Sequence, residues 1–329
     1  MMRQPPRRPA PAVQRGAALL AAMLTVTLVA TFAAAALWQQ WRSVEIETAE
    51  RARMQTGWIL TGALDWARLI LREDGRSGGA DYLSEPWAVP LQETRLSTFL
   101  SADKTTTDSD QEAFLSGQIT DLQSRLNVAN LIEANKISAP ALQAFAKLFD
   151  LLGLPAEELN RMAENLRFAS DTSPDNRSAS QAPLMPQRIE QLTWLGLSPQ
   201  SLAALRPYIA LLPARTPVNL NTASAEVVYA SVPTFEMADA QRLVADRDRA
   251  YFRSLSDVSK LFPEAASQFS DGQHSVATRF FEVRGRLRLD QMVVQERSVL
   301  QRDGQDVRTL WRERQVVDLP ANPPLYNSR

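Results

Sequence analysis

The sequence predicts an α+β protein. A long N-terminal helix is packed on an antiparallel sheet, and a large all-α domain is inserted between the first strand and the rest of that sheet. Three observations carry this expectation. An uncharged apolar run near the N-terminus passes without proline into an amphipathic stripe. Helical spacing dominates from Ile137 to Asp271, and strand-like segments lie both before and after that block.

The 329 residues are too many for one small core and imply more than one domain. Hydrophobic residues make up 45% and charged residues 22%, within the globular range, and the net charge of −1 gives no global attraction for nucleic acid. There is no cysteine, so disulfides, thiol nucleophiles and cysteine-bound zinc are excluded; the single histidine, His274, excludes a multi-histidine metal site within one chain. His274 lies in the polar run DGQHS and is expected at the surface. With no G-x-S-x-G elbow and no phosphate-binding Gly-Lys-Ser/Thr loop, no catalytic site is expected.

The first sixteen residues hold four arginines (Arg3, Arg7, Arg8, Arg15), four prolines and no acid. Ala17–Trp38 then runs without a charge; at 1.5 Å per residue it is about 33 Å long, enough for a bilayer core. Glu45, Glu47 and Glu50 follow, so the positive-inside rule puts the N-terminus in the cytoplasm and the bulk of the chain outside. A cleaved secretory signal ending near Ala33–Ala36 and a plain signal anchor are the competing expectations. Against the first, the run exceeds the usual 7–15 apolar residues of such a signal, and the helical pattern continues. Ile59, Ala63, Trp66 and Ile70 recur as one stripe, and Gly75, Gly78 and Gly79 are expected to end the helix.

Asp81–Pro90 is expected to be a Trp-containing loop followed by a polar stretch through Asp110. Ala113–Asp121 reads as a strand, with Leu126-Asn127-Val128 beyond it. In the helical block, Leu142, Phe145, Phe149 and Leu152 share a face, with Gly153 as the stop and Pro155 opening the next helix through Leu159, Met162 and Leu166. Ser170–Pro186 reads as a loop. Ser198-Pro199 opens a helix with Leu202, Leu205, Ile209 and Leu212 inward; Thr222 is expected to cap a helix at Ala223, with Asn219 and Asn221 holding turn backbone. Ser254 and Asp257 mark a further helix start. Phe280–Leu289, Met292–Gln301 and Val307–Arg314 are strand-like, with Asp303-Gly304 turning between the last two.

The basic leader ending Gln14-Arg15-Gly16 ahead of an apolar helix resembles a type IV prepilin signal. That resemblance implies cleavage after Gly16 by a prepilin peptidase, methylation of Ala17, and a fold that is pilin-like. Ala21 departs from the pattern, because most pilins carry glutamate at this fifth mature position. With Trp87, Asp121, the Arg125-Leu126-Asn127 step and the Asn219-x-Asn221-Thr222-Ala223 segment, the chain resembles the general secretion pathway protein K family, the largest minor pseudopilins of type II secretion. The resemblance implies a tip pseudopilin in the bacterial inner membrane, assembling with other minor pseudopilins and the major pseudopilin and in reach of secreted proteins. It also implies these divisions: leader 1–16, transmembrane helix 17–38, pilin-like first part 39–127, inserted all-α domain 128–272 and C-terminal strands 273–329. A minor type IV pilin is the neighbouring alternative. Calcium on the helical domain is a further implication, for which the Ser170–Pro186 loop offers Asp171, Asp175 and Asn176, without the family's denser acidic stretch.

Pro217–Val258 also resembles the helix-hairpin-helix modules of DNA-uptake proteins, which grip phosphate with exposed backbone amides. Here the hairpin Ser231–Glu236 lacks glycine, Pro233 removes a donor, and Glu236 and Asp239 repel phosphate. Nucleic acid is therefore not an expected partner, and a membrane-tethered helix-hairpin-helix DNA-binding protein stands beside the minor type IV pilin as an alternative.

Overall fold

The computed structural model describes residues 15–96, 113–171, 181–289 and 292–317. They fall into two compact units that divide between Trp58 and Ile59. Helix α1 (Arg15–Ser77) has no proline to interrupt its 63 residues, and the left-handed Gly78 and Gly79 follow its end.

In the second unit, α1 is followed by β1 (Leu91–Arg95), β2 (Ala113–Asp121) and the short β3 (Leu126–Asn127). Next come the β4–β5 hairpin (Ile132–Glu133, Lys136–Ile137), α2 (Ala139–Leu151) and α3 (Ala156–Ser170). A 3-10 segment (Ile189–Leu195) leads to α4 (Pro199–Leu205), β6 (Ile209–Ala210) and β7 (Val218–Asn219). Helices α5 (Ala225–Ser231), α6 (Met237–Arg249) and α7 (Leu255–Leu261) complete the block. The chain closes through β8 (His274–Ser275), β9 (Phe280–Leu289), β10 (Met292–Asp303) and β11 (Asp306–Val317).

The main sheet has the order β1-β2-β9-β10-β11 and is antiparallel throughout. Strands β2 and β9 are neighbours in space although the whole helical block separates them in sequence. Asp121, the last residue of β2, pairs with Phe281 near the start of β9, so the block leaves and re-enters at one end of the sheet. An insertion with adjacent ends adds little closure entropy to the sheet it interrupts.

Leu60, Leu64, Ala67 and Leu71 are the α1 side chains buried against the sheet. Leu60 packs with Leu115, Leu287 and Val294; Leu64, Ala67 and Leu71 pack with Trp87, Phe281, Val283, Leu300 and Val307. This corrects the expected stripe by one residue. Ile59, Ala63 and Ile70 flank the buried row, and Trp66 is 45% exposed where Leu64 is 6%. Both rows have the same helical spacing, and a period alone does not choose between adjacent stripes. Gly75 has a packing reason: a Cβ there would collide with the Gly304 carbonyl at the β10–β11 turn.

The helical block has its own core, in which Phe145, Leu148 and Phe149 of α2 meet Leu159, Met162 and Leu166 of α3 and Val227 and Val228 of α5. Gly153 has φ +64° between α2 and α3, where a side chain is unfavourable. A small cluster of Leu122, Ala210, Leu212, Phe280 and Val299 joins this block to the sheet.

Two further expectations are corrected. Leu91–Arg95, read as part of a polar stretch, is edge strand β1; its mixed burial suits a strand with one paired edge. The helix opened by Pro199 stops at Leu205, so Ile209 and Leu212 reach the core from β6 and the segment after it.

Candidate functional site

The N-terminal part of α1 has the surface of a lipid-facing helix. Its large apolar side chains from Leu19 to Trp38 are between 53% and 68% exposed, and among the described residues this is the helix long and apolar enough to cross a membrane. The three threonines within it do not spoil this surface. Thr25, Thr27 and Thr31 donate their hydroxyls to the carbonyls of Ala22, Leu24 and Leu28 at 2.8, 3.0 and 2.8 Å, so each finds a partner inside the helix. Ala17 and Ala21 sit in the same exposed run, and Gly16 lies in the first turn of the helix. The chain is thus a single-pass membrane-anchored protein.

A second constellation links the helical block to the sheet. Asp121 is fully buried at the end of β2. One carboxylate oxygen accepts from the Gln123 backbone N–H (2.7 Å) and the Thr278 hydroxyl (2.6 Å). The other accepts from Asn219 Nδ2 (2.9 Å) and the Thr222 hydroxyl (2.5 Å). Burial pushes the Asp121 carboxyl up, and these four donors act against that push. Asn221 extends the frame: its amide donates to the Phe252 carbonyl and accepts from the Phe252 N–H, both at 2.9 Å, tying β7 to the start of α7. The expectation that Asn219 and Asn221 satisfy turn backbone groups agrees with this geometry. The expectation for Thr222 does not. Helix α5 begins at Ala225 behind Ser224, and Thr222 gives its hydroxyl to Asp121 because a buried carboxylate is the stronger acceptor.

Next to this hub, Arg302 donates to Asp81 Oδ1 (2.6 Å) and to the Thr278 carbonyl (3.0 Å), and it is ion-paired with Asp74. Asp81 also accepts from the Thr278 N–H at 2.6 Å. Among the described residues, Asp74, Asp81 and Glu85 form the carboxylate cluster nearest to a metal-binding pattern, but the guanidinium of Arg302 already compensates two of the three. Burial raises Asp81 to about 6 and Glu85 to about 7. Sequence reasoning missed Asp81, Thr278 and Arg302, which lie in three distant segments without a shared motif.

Of the metal ligands expected from the resemblance, Asp171 is the half-buried residue at the C-terminal end of α3, and Asp175 lies outside the described residues. Asn176 lies outside the described residues as well, and among those described Asp171 is not part of the acidic cluster, so calcium here rests on resemblance alone.

The hairpin between α5 and α6 presents carbonyls where a DNA-binding module would present amides. Lys147 Nζ donates to the carbonyls of Val232 (2.8 Å), Pro233 (3.2 Å) and Phe235 (3.0 Å). At the start of α6, Glu236 and Asp239 form a reciprocal capping box that uses the free N–H groups itself. His274 corrects another expectation. It is buried in β8, its ring is edge-on to Phe269 at 5.5 Å, and burial lowers it to about 4, so it is neutral at physiological pH. Its polar neighbours in sequence hid the pairing of β8 with β7.

Two family models match, both described as type II secretion system protein K, one over residues 124–214 and the other over 218–277. The type II secretion system protein K of Pseudomonas aeruginosa is 26% identical over 292 residues, covering 82% of this chain and 83% of the relative. Its counterpart from Pectobacterium carotovorum subsp. carotovorum is 24% identical, covering 91% and 96%. Among solved structures, a chain of the GspK-GspI-GspJ complex from the enterotoxigenic Escherichia coli type 2 secretion system has a TM-score of 0.57 at 18% identity, covering 81% of this chain and 98% of that one, a likeness of fold.

Proposed function

This chain belongs to the protein K family of the type II secretion system, the minor pseudopilins of that export machine, and from that premise we propose that it caps the tip of the pseudopilus and acts by assembly, without catalysis. The observation that carries the proposal is Ala21, set in an exposed apolar helix where a shaft subunit has a carboxylate. A carboxylate in the bilayer is costly unless it is paired, and pilins pair it with the terminal amine of a neighbouring subunit. A subunit with nothing beyond it has no such pair to form.

In this reading a prepilin peptidase removes residues 1–16 after Gly16, and Ala17 becomes the methylated first residue. Residues 17–38 hold the chain in the inner membrane, with the leader on the cytoplasmic side and the globular unit in the periplasm. The inserted domain spans 128–272 and adds bulk that suits an end better than a shaft. Lateral partners are other minor pseudopilins, a reading supported by a fold shared with a chain from the GspK-GspI-GspJ complex. Once assembly draws α1 out of lipid, packed neighbours must replace the lipid contacts of its apolar surface.

Gold labelling of an epitope on the helical block in overproduced pseudopili tests the tip position. Label at one end of each fibre is expected, and label along the shaft would overturn the proposal.

A further inference from the structure

On the sheet face opposite α1, the register sets Arg284 of β9 directly across from Arg297 of β10. Like charges in such a pair repel unless an anion lies between them. Glu282 supplies one. It is completely buried, with Oε1 2.6 Å from Arg284 Nε and Oε2 bonded to Arg297. Arg125, from the turn after β2, joins the same cluster. The carboxylate that most favours its charge is again Glu282, while Arg284 and Arg297 oppose it and burial lowers its pKa. Glu282 is therefore shared by three guanidinium groups, with weaker help for Arg297 from Glu190 at 3.9 Å and for Arg125 from Asp121.

These groups open onto a cleft of about 900 Å³ between the sheet and the helical block, which Arg188 and Arg206 also line. Arg188 is paired at 3.2 Å with Glu313, which lies on β11 across from Arg297, and Arg206 with Glu190 at 2.9 Å, so Arg125, Arg188, Arg206, Arg284 and Arg297 face only Glu190, Glu282 and Glu313 and the cleft keeps an excess of positive charge. With an overall charge of −1 the chain has no general affinity for anions, so the excess is a local feature.

We propose that this cleft binds an acidic segment of a protein partner, with Arg125, Arg284 and Arg297 receiving its carboxylates. Guanidinium groups match carboxylates through paired N–H donors. Glu190 on the helical side and Glu313 on β11 repel a continuous polyanion such as nucleic acid but tolerate carboxylates spaced along a peptide. Gln191, Gln295 and Gln315 line the cleft as well and offer amides to a peptide backbone. The inference stands on these side chains and does not depend on where in the pseudopilus the subunit sits.

The test uses the full chain in detergent micelles and a fluorescein-labelled peptide of alternating glutamate and serine, read by fluorescence polarisation. Saturable binding that weakens with added salt is expected. Arg125→Gln and Arg284→Gln should each weaken it about tenfold, the scale of one charge-assisted hydrogen bond. Arg76→Gln, at the end of α1 and paired with Glu73, should leave it unchanged. Arg284 is 46% exposed, so its variant keeps the fold and carries the test even if Arg125→Gln does not. Absence of saturable binding, or equal weakening by Arg76→Gln, would overturn the proposal. So would displacement of the peptide by single-stranded DNA or inorganic phosphate at matched charge, which would mark a general anion site.

Discussion

Replacing Asp121 with alanine removes the one acceptor that four buried donors share. Two of them can turn elsewhere: the Thr222 hydroxyl has the Asn219 carbonyl at 3.4 Å and the Thr278 hydroxyl has the Phe280 carbonyl at 3.5 Å. The Asn219 side-chain amide loses its 2.9 Å bond and the Gln123 N–H its 2.7 Å bond. Each stranded donor costs about 1–3 kcal/mol, and relief from burying a carboxylate offsets part of that, so a net loss of about 3 kcal/mol is expected. For a unit of this size that is about 8 °C in melting temperature. Asp121→Asn keeps an acceptor for Gln123 and Thr278 but turns an NH₂ toward the Asn219 amide, and about half the loss is expected. The assay is thermal unfolding of the full chain in detergent, with hydrogen exchange read by segment. Protection should fall at 219–223 and 277–279 and persist at Leu60–Leu71. A loss below about 1 kcal/mol for the alanine variant, or an exchange increase spread evenly over the unit, would refute the reasoning.

Leu71→Ala, at a fully buried α1 position, should cost about 3 kcal/mol, whereas Trp66→Ala, nearly half exposed, should cost less than half of that, as comparison of their melting midpoints will show. Asp81 and Glu85 have folded-state pKa values raised to about 6 and 7. The stability they contribute is therefore present in acid and lost as pH rises through 6 to 7, and melting midpoints at pH 5 and pH 8 should differ in that sense. Glu85→Gln should shrink the difference, because its carbonyl can still accept from the Tyr82 N–H and Trp87 Nε1. His274 has the opposite sign. Lowered to about 4, it contributes stability above pH 6.5 that is lost as pH falls toward 4, and His274→Phe should remove that acid-side loss in the same melts.

The parts of the fold that were legible in the sequence are those written in local pattern. Strand β2 and strand β9 fall where alternation placed them, and α1 ends where the glycine cluster required. Glycine and proline likewise punctuate α2 and α3 as expected. Asp121, Asn219, Asn221 and Thr222 were singled out by resemblance, and the structure brings them into one hub. The role of Thr222 was not legible, because a threonine before a helical pattern looks like a cap wherever its long-range acceptor lies. The buried stripe of α1 was displaced by one residue because two adjacent rows are both apolar. His274 looked exposed because burial in β8 depends on a parallel pairing with β7 more than fifty residues away. The arginine cleft had no sequence signal at all. Arg125, Arg284 and Arg297 meet only through the register of β9 with β10 and the return of the chain after β2.

The most direct test of the central claim is the intact mass of the full-length protein recovered from membranes with and without a prepilin peptidase. The account requires peptidase-dependent loss of Met1–Gly16, a methyl group on Ala17, and retention of the apolar helix. Peptidase-independent cleavage near Ala36, or an uncleaved chain in the presence of active peptidase, would contradict it.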